Sequence, residues 1–165
     1  SDIIENSVNL SSFNPTVFED LGKNLAAKIG PKTPLLYSSY PWRFLGQFWK
    51  IFFNENTKIH SFFNFLPGAG HNEIAGIKKE DAHFFYLLLR DPQDHLENIK
   101  KIDQFERFLK SYNTGHEVIN LTGSNRFEQI MNQYMLASAT STALAHKLGV
   151  DPHSTETIEN FKHLS

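Results

Sequence analysis

The residues HFFYLLLRD, 83–91, give the strongest indication of the fold. From Phe84 to Leu89 every residue is apolar or aromatic, and no polar side chain alternates with them. A strand with one face in water alternates apolar and polar residues, whereas a strand covered on both faces reads as a continuous apolar run. Residues 83–91 therefore predict a buried strand of a parallel sheet.

On either side of this strand, segments of strand and helix character alternate along the chain. Apolar runs bounded by turn residues predict strands at 33–39, 58–67, 83–91 and 116–123. Helical spacing of apolar residues predicts helices at 16–29, 40–58, 92–112 and 124–148. Gly149 reads as the stop of the longest helix, and Asp151-Pro152 as the start of a last helix that ends near His163. This alternation predicts an α/β fold with helices on both faces of the sheet.

Length and composition indicate one globular domain. Residues 1–15 read as a linker or N-terminal tail, and 16–165 as a single domain. A net charge of −2 gives no electrostatic case for nucleic acid or for an anionic membrane. The absence of cysteine excludes disulfides, thiolate catalysis and cysteine-based zinc sites, and it favours a reducing, cytoplasmic location. The longest apolar run is too short to cross a bilayer.

The loop LPGAGHNEIAG, residues 66–76, is the first candidate for chemistry. It follows a predicted strand, and ligands of open parallel sheets bind beyond the carboxyl ends of strands. A carboxylate on such a turn, Glu73, can act as a general base. It can equally be a first-turn residue of a short helix that starts near Asn72, where the helix dipole favours negative charge. His71 can orient Glu73 or bond to the backbone.

Three further places carry side chains suited to a site. Residues 54–58, NENTK, can line a sugar pocket or cap the end of the preceding helix. Thr155 and Lys162 lie two turns apart on one side of the last helix, where a lysine can neutralise a substrate oxygen or satisfy the helix dipole. His95, near the start of a helix, can serve as acid or base, or simply lie at the surface.

A metal site and a phosphate loop are both disfavoured. The spacing of His71 and Glu73 matches the H-x-E of zinc deaminases, but that pattern needs a downstream P-C-x-x-C, and the chain has no cysteine. No phosphate loop of the G-x-x-x-x-G-K-[ST] type occurs. The small residues ASATSTALA, 137–145, lie mid-helix and predict close packing against another helix or a subunit.

Two motifs in residues 43–76 resemble the second half of the bifunctional phosphoglucose/phosphomannose isomerases, which are sugar isomerase (SIS) proteins. The first is a helix end with Asn-Glu-Asn-x-Lys, and the second a proline followed by His-Asn-Glu. The matching residues are Arg43, Gln47, Asn54, Glu55, Asn56, Lys58, Pro67, His71, Asn72 and Glu73. The closing stretch LGVDPHSTETIENFK, 148–162, resembles the same family, so the likeness covers about residues 33–163.

The resemblance implies a three-layer αβα sandwich with an about five-stranded parallel SIS sheet. It implies aldose–ketose isomerisation of glucose 6-phosphate or mannose 6-phosphate with fructose 6-phosphate, through a cis-enediol. Glu73 matches the base, Lys162 the family's C-terminal lysine, and Thr155 the threonine that leaves room for both epimers. His95, with His83 as second choice, matches a histidine that assists ring opening across a subunit interface.

The resemblance also implies substrate contacts, partners and the absence of a cofactor. Arg43, Asn56, His71 and Asn72 join Thr155 as expected substrate-binding residues, and no metal or organic cofactor is expected. The family's phosphate-binding loop lies in an N-terminal SIS domain, so the expected partners are that domain, a phosphosugar and a second copy of the chain. The isolated half is then expected to lack the phosphate site, and its activity without the N-terminal half is left open. The alternatives are a non-catalytic SIS module that binds a phosphosugar, or a purely structural dimerisation domain.

Overall fold

The computed structural model describes residues 14–164. Most of the tail or linker predicted at residues 1–15 lies outside the described residues. At its end, Pro15 already opens the first helix, and the side chain of Asn14 caps that helix by accepting from the backbone N–H of Thr16 at 3.1 Å. The first helix therefore begins slightly earlier than the apolar spacing predicts.

Within residues 14–164, four parallel strands form one sheet: β1 (Thr33–Ser39), β2 (Phe62–Leu66), β3 (Phe84–Arg90) and β4 (His116–Asn120). Their order across the sheet is β2-β1-β3-β4. Each of the four strands predicted from apolar runs is confirmed. The family resemblance implied about five strands, and the sheet of the described residues has four.

Helices cover both faces of the sheet. The α-helices within residues 14–164 are α1 (Pro15–Ile29), α2 (Arg43–Phe52), α3 (Ala69–Asn72), α4 (Leu96–Ser111), α5 (Arg126–Leu148) and α6 (Glu156–Lys162), and the longer ones cover the sheet. Buried residues of α1, α2 and α5 share one apolar cluster with one side of the strands, and α4 shares a second cluster with the other side. The predicted α/β sandwich with a parallel sheet is thereby confirmed.

The alternation of side chains along β1 and β3 explains the continuous apolar or aromatic runs at 34–37 and 84–89. Leu36 and Leu87 point into the cluster with α1, α2 and α5, whereas Tyr37 and Leu88 point into the cluster with α4. All four are at most 4% exposed. Because both faces are covered, the strand needs apolar or aromatic side chains at successive positions.

Two helix predictions need correction. Residues 40–58 are not one helix: a 3₁₀ turn (Tyr40–Trp42) precedes α2, and a π-helical turn (Phe53–Thr57) follows it. The last helix does not start at Asp151-Pro152 but at Glu156. Asp151 instead uses its carboxylate to accept from the backbone N–H of His153 at 2.9 Å, which closes a turn before the helix.

The small residues of α5 pack against another helix of the same chain. A Cβ on Gly22 of α1 would lie 2.7 Å from the backbone carbon of Ala139, closer than van der Waals contact allows. The two helix backbones therefore touch, and only small side chains fit between them. This confirms the helix-packing interpretation of residues 137–145.

Candidate active site

The Glu73 carboxylate lies over the face of the sheet that packs against α4. The residue opens a short 3₁₀ turn, Glu73–Gly76, in the loop after β2. Its Oε2 accepts from the hydroxyl of Tyr37 at 2.5 Å, and its Oε1 accepts from the side-chain amide of Asn64. The first-turn placement predicted from the sequence is confirmed, but the side chain turns back onto the sheet, where two donors hold it.

The two donors stand side by side in the sheet. Tyr37 of β1 pairs with Asn64 of β2 in the parallel register, so both side chains point to the same face. Tyr37 is buried, and burial raises the pKa of its hydroxyl far above the usual range, with further contributions from the hydrogen bond and charge of Glu73. Tyr37 therefore keeps its proton, and with it the hydrogen bond to Glu73, throughout the neutral pH range.

The charge of the Glu73 carboxylate also affects the pKa of a second tyrosine, Tyr86. Burial raises the pKa of Tyr86 to about 12, with the charges of Asp81 and Glu73 adding to the effect. The ring of Tyr86 stacks with that of Tyr37 at 6.0 Å between centroids. Glu73 therefore reaches into a buried aromatic cluster rather than standing free in solvent.

His71 and Asn72 flank this arrangement without joining it. Both side chains are exposed. His71 lines a cleft of about 230 Å³ between the loop and α4, together with Lys101 and Gln104. Within residues 14–164, the Glu73 carboxylate bonds to Tyr37 and Asn64 rather than to His71. The hydrogen bonds of these described residues therefore do not support an orienting role of His71 on Glu73.

The polar side chains of NENTK mostly tie the chain together. Asn54 accepts from the backbone N–H of Ser61 at 2.8 Å, and Asn56 donates to the hydroxyl of Ser141 at 2.8 Å. Thr57 donates to a carbonyl oxygen one turn earlier, at 2.5 Å. These bonds link the π-helical turn to the segment before β2 and to α5, so the structural interpretation of the motif accounts for most of its residues.

Lys58 extends this junction to the carboxyl-terminal segment. Its backbone is left-handed, with φ of 58°, and its ammonium group donates to the carbonyl of Ser154 at 2.7 Å and to the carbonyl of Glu55. Thr155 consequently lines a cleft of about 280 Å³ with Glu55 and Lys58. The NEN…K motif and the closing segment, which the resemblance linked only by family, meet here in space.

Lys162 lies near the end of α6, a helix whose residues are all exposed. Its ammonium group pairs with Glu159 at 2.8 Å, one turn earlier. Thr155 directly precedes α6 and is also exposed. The sequence placed both residues on one side of the last helix, but the helix begins only at Glu156, so Thr155 lies outside it. The segment that carries both residues lies at the surface of the described chain.

The two candidate histidines lie beyond opposite ends of strand β3. His95 follows the carboxyl end of β3 and caps α4, its Nδ1 accepting from the backbone N–H of Glu97 at 3.3 Å. His83 precedes β3 at the amino edge, is exposed and lies 3.4 Å from Asp81. Loops after the strands, such as the one carrying Glu73, share the edge of His95.

Arg43 also lies at the carboxyl edge, just after β1. Its guanidinium donates to the carbonyl of Tyr40 at 3.0 Å and stacks over the Tyr40 ring at 4.1 Å. The side chain is exposed, so its other N–H groups face outward. This position suits a contact with a substrate bound beyond the strand ends.

Sequence reasoning missed Tyr37 and Asn64 as site residues. A signal for Asn64 was present, because it is the one amide inside the apolar strand FFNFL, and a polar group there needs a partner. Tyr37 gave no such signal, because a tyrosine in a buried strand is common. Only the register between β1 and β2 shows that both side chains meet the same carboxylate.

Two negative findings apply to residues 14–164. No group of three or more histidine, aspartate or glutamate side chains gathers closely enough there to hold a metal ion. In the same range no helix combines the length and apolar character needed to cross a bilayer. Around Glu73, the described side chains supply a fixed carboxylate and two neutral donors.

Comparison with known proteins shows the family of the chain. The model of the bacterial phospho-glucose isomerase C-terminal SIS domain matches residues 18–164. The bifunctional phosphoglucose/phosphomannose isomerase of Aquifex aeolicus is 29% identical over 143 residues, covering 86% of this chain and 45% of that protein. The Thermoplasma acidophilum enzyme of the same name is 30% identical over 152 residues, covering 90% of this chain and 46% of that protein.

A solved structure agrees in fold. A glucose-6-phosphate isomerase like protein from Thermus thermophilus superposes with a TM-score of 0.68 at 23% identity, covering 87% of this chain and 47% of that one. At 23% identity, this similarity supports a shared fold and nothing more specific. The chain spans about half the length of the curated relatives it matches.

Proposed function

This chain belongs to the family of bacterial phospho-glucose isomerase C-terminal SIS domains, and we propose that it is the half of a phosphosugar isomerase that supplies the catalytic base. The proposed reaction interconverts glucose 6-phosphate or mannose 6-phosphate with fructose 6-phosphate through a cis-enediol. The names of the full-length relatives support this choice of substrates.

The observation that carries the proposal is the fixed carboxylate of Glu73. Removing a proton next to a carbonyl requires a base held in place, because misplacement by about 1 Å costs on the order of 100-fold in rate. Tyr37 and Asn64 hold Glu73 on the sheet, in the loop that follows the carboxyl end of β2. This is the edge at which open parallel sheets bind ligands.

In the proposed mechanism, Glu73 takes the proton from C2 of the aldose and returns it to C1. The electron pair of the C–H bond forms the C1=C2 double bond while negative charge develops on O1, the former carbonyl oxygen. A cation stabilises that charge, and Lys162 is the candidate by its match to the family. O1 then takes up a proton and the O2 hydroxyl gives one up, so that C2 becomes the carbonyl carbon of the ketose. Reversal of the same steps converts the ketose. Glu73 returns the proton from one side, so glucose or mannose forms according to which face of C2 the enediol turns toward the carboxylate.

The remaining assignments follow the family match and the placement of each residue. We assign ring opening to His95, with His83 as second choice, and the histidine of one subunit then acts on the sugar bound to its partner. Thr155 contacts the C2 region of the sugar, and exposed Arg43 contacts the substrate beyond β1. The other expected substrate contacts are Asn56, His71 and Asn72.

We further propose that the working enzyme contains an N-terminal SIS domain and is a homodimer in the cytoplasm. The length of the relatives supports the second domain. Phe48 and Ile51 of α2 are 42% and 39% exposed, and apolar side chains of this kind suit a subunit interface. Sedimentation tests the dimer, since a monomer of the chain has a mass of 19.0 kDa.

The test of the proposed function is proton exchange. The chain is incubated with fructose 6-phosphate in deuterated buffer, alone and with the amino-terminal half of the Thermoplasma acidophilum relative, and deuterium at C1 and C2 is followed by NMR. With the added half we expect exchange in the parent and a loss of at least about 100-fold in Glu73→Gln, because an amide cannot accept the proton.

Glu19→Gln, on the exposed side of α1, is the matched control and should exchange like the parent. Exchange that survives in Glu73→Gln would reject Glu73 as the base. If the parent shows no exchange even with the added half, the catalytic proposal fails. The alternative, a SIS module that binds a phosphosugar without converting it, would then be preferred.

A further inference from the structure

We infer that Tyr37 and Asn64 are positioning residues that hold the Glu73 carboxylate at a single orientation for proton transfer. The inference rests on the proposed function, because it assigns roles around the same base. Neither residue belongs to the motifs that link the chain to its family. The assignment comes from the strand register and from the hydrogen bonds of the two side chains.

The position of Tyr37 is itself fixed by packing. Its ring lies edge-on to Phe105 of α4, at 4.9 Å between centroids, and stacks with Tyr86 at 6.0 Å. The residue is 4% exposed. A buried aromatic side chain with neighbours on two sides is confined to one rotamer, so its hydroxyl presents a donor at a fixed point.

The amide of Asn64 is fixed by a second hydrogen bond. Its Oδ1 accepts from the backbone N–H of Phe65 at 2.8 Å. With the oxygen occupied in this way, the amide nitrogen must point to Glu73. These two hydrogen bonds therefore identify the Asn64 atom that faces Glu73 as the amide nitrogen, which donates.

The two hydrogen bonds orient the Glu73 carboxylate and leave acceptor capacity on both of its oxygens. One donor binds each oxygen, whereas an ionised carboxylate offers about four acceptor sites in total. The plane of the carboxylate is set by the two bonds, and each oxygen keeps an acceptor site for a substrate proton. The backbone alone would not achieve this, because Glu73 lies in a four-residue 3₁₀ turn.

The first part of the test detects the contact in the chain itself. A buried hydroxyl that donates to a carboxylate at 2.5 Å gives a slowly exchanging proton resonance downfield of the amides. We expect this signal in the parent and in Tyr86→Phe, and we expect it to vanish in Tyr37→Phe and to move upfield in Glu73→Gln. A parent without the signal, or a signal unmoved in Glu73→Gln, would overturn the inference.

The second part measures kcat and KM for isomerisation, with the amino-terminal half added as above. Tyr37→Phe and Asn64→Leu should each lower kcat on the order of 10- to 100-fold, with KM changed by less than about twofold. Tyr86→Phe, a neighbouring phenol to phenyl change, should leave both constants near those of the parent. A loss of equal size in Tyr86→Phe, or one confined to KM, would indicate a merely structural role.

A double variant separates this inference from the proposed function. If Tyr37 acts through Glu73, adding Tyr37→Phe to Glu73→Gln causes no further loss. Exchange that depends on Glu73 but not on Tyr37 or Asn64 rejects the positioning roles alone. Exchange that does not depend on Glu73 rejects the proposed function, and the positioning roles with it.

Discussion

The loop that carries Glu73 and the helix that carries Lys162 hold their side chains in different ways. Glu73 bonds to two neighbouring strands, and Tyr37, one of its two donors, is packed under α4. Lys162 lies on α6, where every residue is exposed and the preceding segment is held by the bond from Lys58 to Ser154. One candidate group is therefore anchored to the core, and the other lies on a short surface element.

This contrast shows where the stability of each region comes from. A helix of seven residues is marginal by itself, so α6 depends on its attachment to the rest of the chain. The surroundings of Glu73 share the buried cluster of the domain and should open only when the domain unfolds. Each of the following predictions tests that contrast.

Loss of the Tyr37 side chain should have the greatest effect on stability. Tyr37→Ala removes a buried ring and a donor, and we expect the free energy of unfolding to fall by about 3–5 kcal/mol. The matched change on α6, Phe161→Ala, removes a ring that is 75% exposed and should alter stability by less than about 0.5 kcal/mol. Urea denaturation of both variants measures the contrast, and equal losses would contradict it.

The next prediction concerns pH. The pKa of Tyr86, raised from 10.0 to about 12 in the folded state, means that the native protein binds this proton more tightly than the unfolded chain. Its stabilisation is complete below pH 10 and is lost as the pH rises through about 12, by on the order of 2 kcal/mol. Chemical denaturation at a series of alkaline pH values measures the loss.

Charge variants at Glu73 and on α6 test which of the two regions affects the titration of Tyr86. Glu73→Gln removes a charge that raises the pKa of Tyr86, so the titration of its ring carbon in NMR should move to lower pH. Glu159→Gln, on α6, should leave that titration in place. A response to Glu159 rather than Glu73 would show that the carboxylate does not lie over the aromatic cluster.

A smaller and purely local effect is expected at Lys58. Lys58→Met removes the donor to Ser154 while keeping a side chain of similar length, and we expect amide protection in residues 155–164 to fall roughly tenfold. Lys147→Met, near the end of α5, is the control and should change nothing there. Hydrogen exchange followed by mass spectrometry reports both regions, and lost protection in the Glu73 loop would show that the two are not independent.

The candidate site residues that the sequence singled out were those with a local signature. Glu73 stood out as a carboxylate on a glycine-containing turn after an apolar run, and His95 as a polar residue at a helix start. Tyr37 could not be recognised in the same way, because its role depends on a partner 36 positions away. The structural contacts of NENTK likewise join residues distant in sequence, such as Asn56 and Ser141.

Local sequence patterns alone predicted the order of strands and helices along the chain, the parallel sheet and the end of α5 at Gly149, whose left-handed backbone suits glycine. These features follow from periodicity and local backbone preference, which act within a few residues. The folded chain was needed to see that Tyr37 and Asn64 face Glu73, and that Lys58 holds Ser154 across 96 positions. Such contacts depend on strand register and on the packing of distant segments, which no local pattern records.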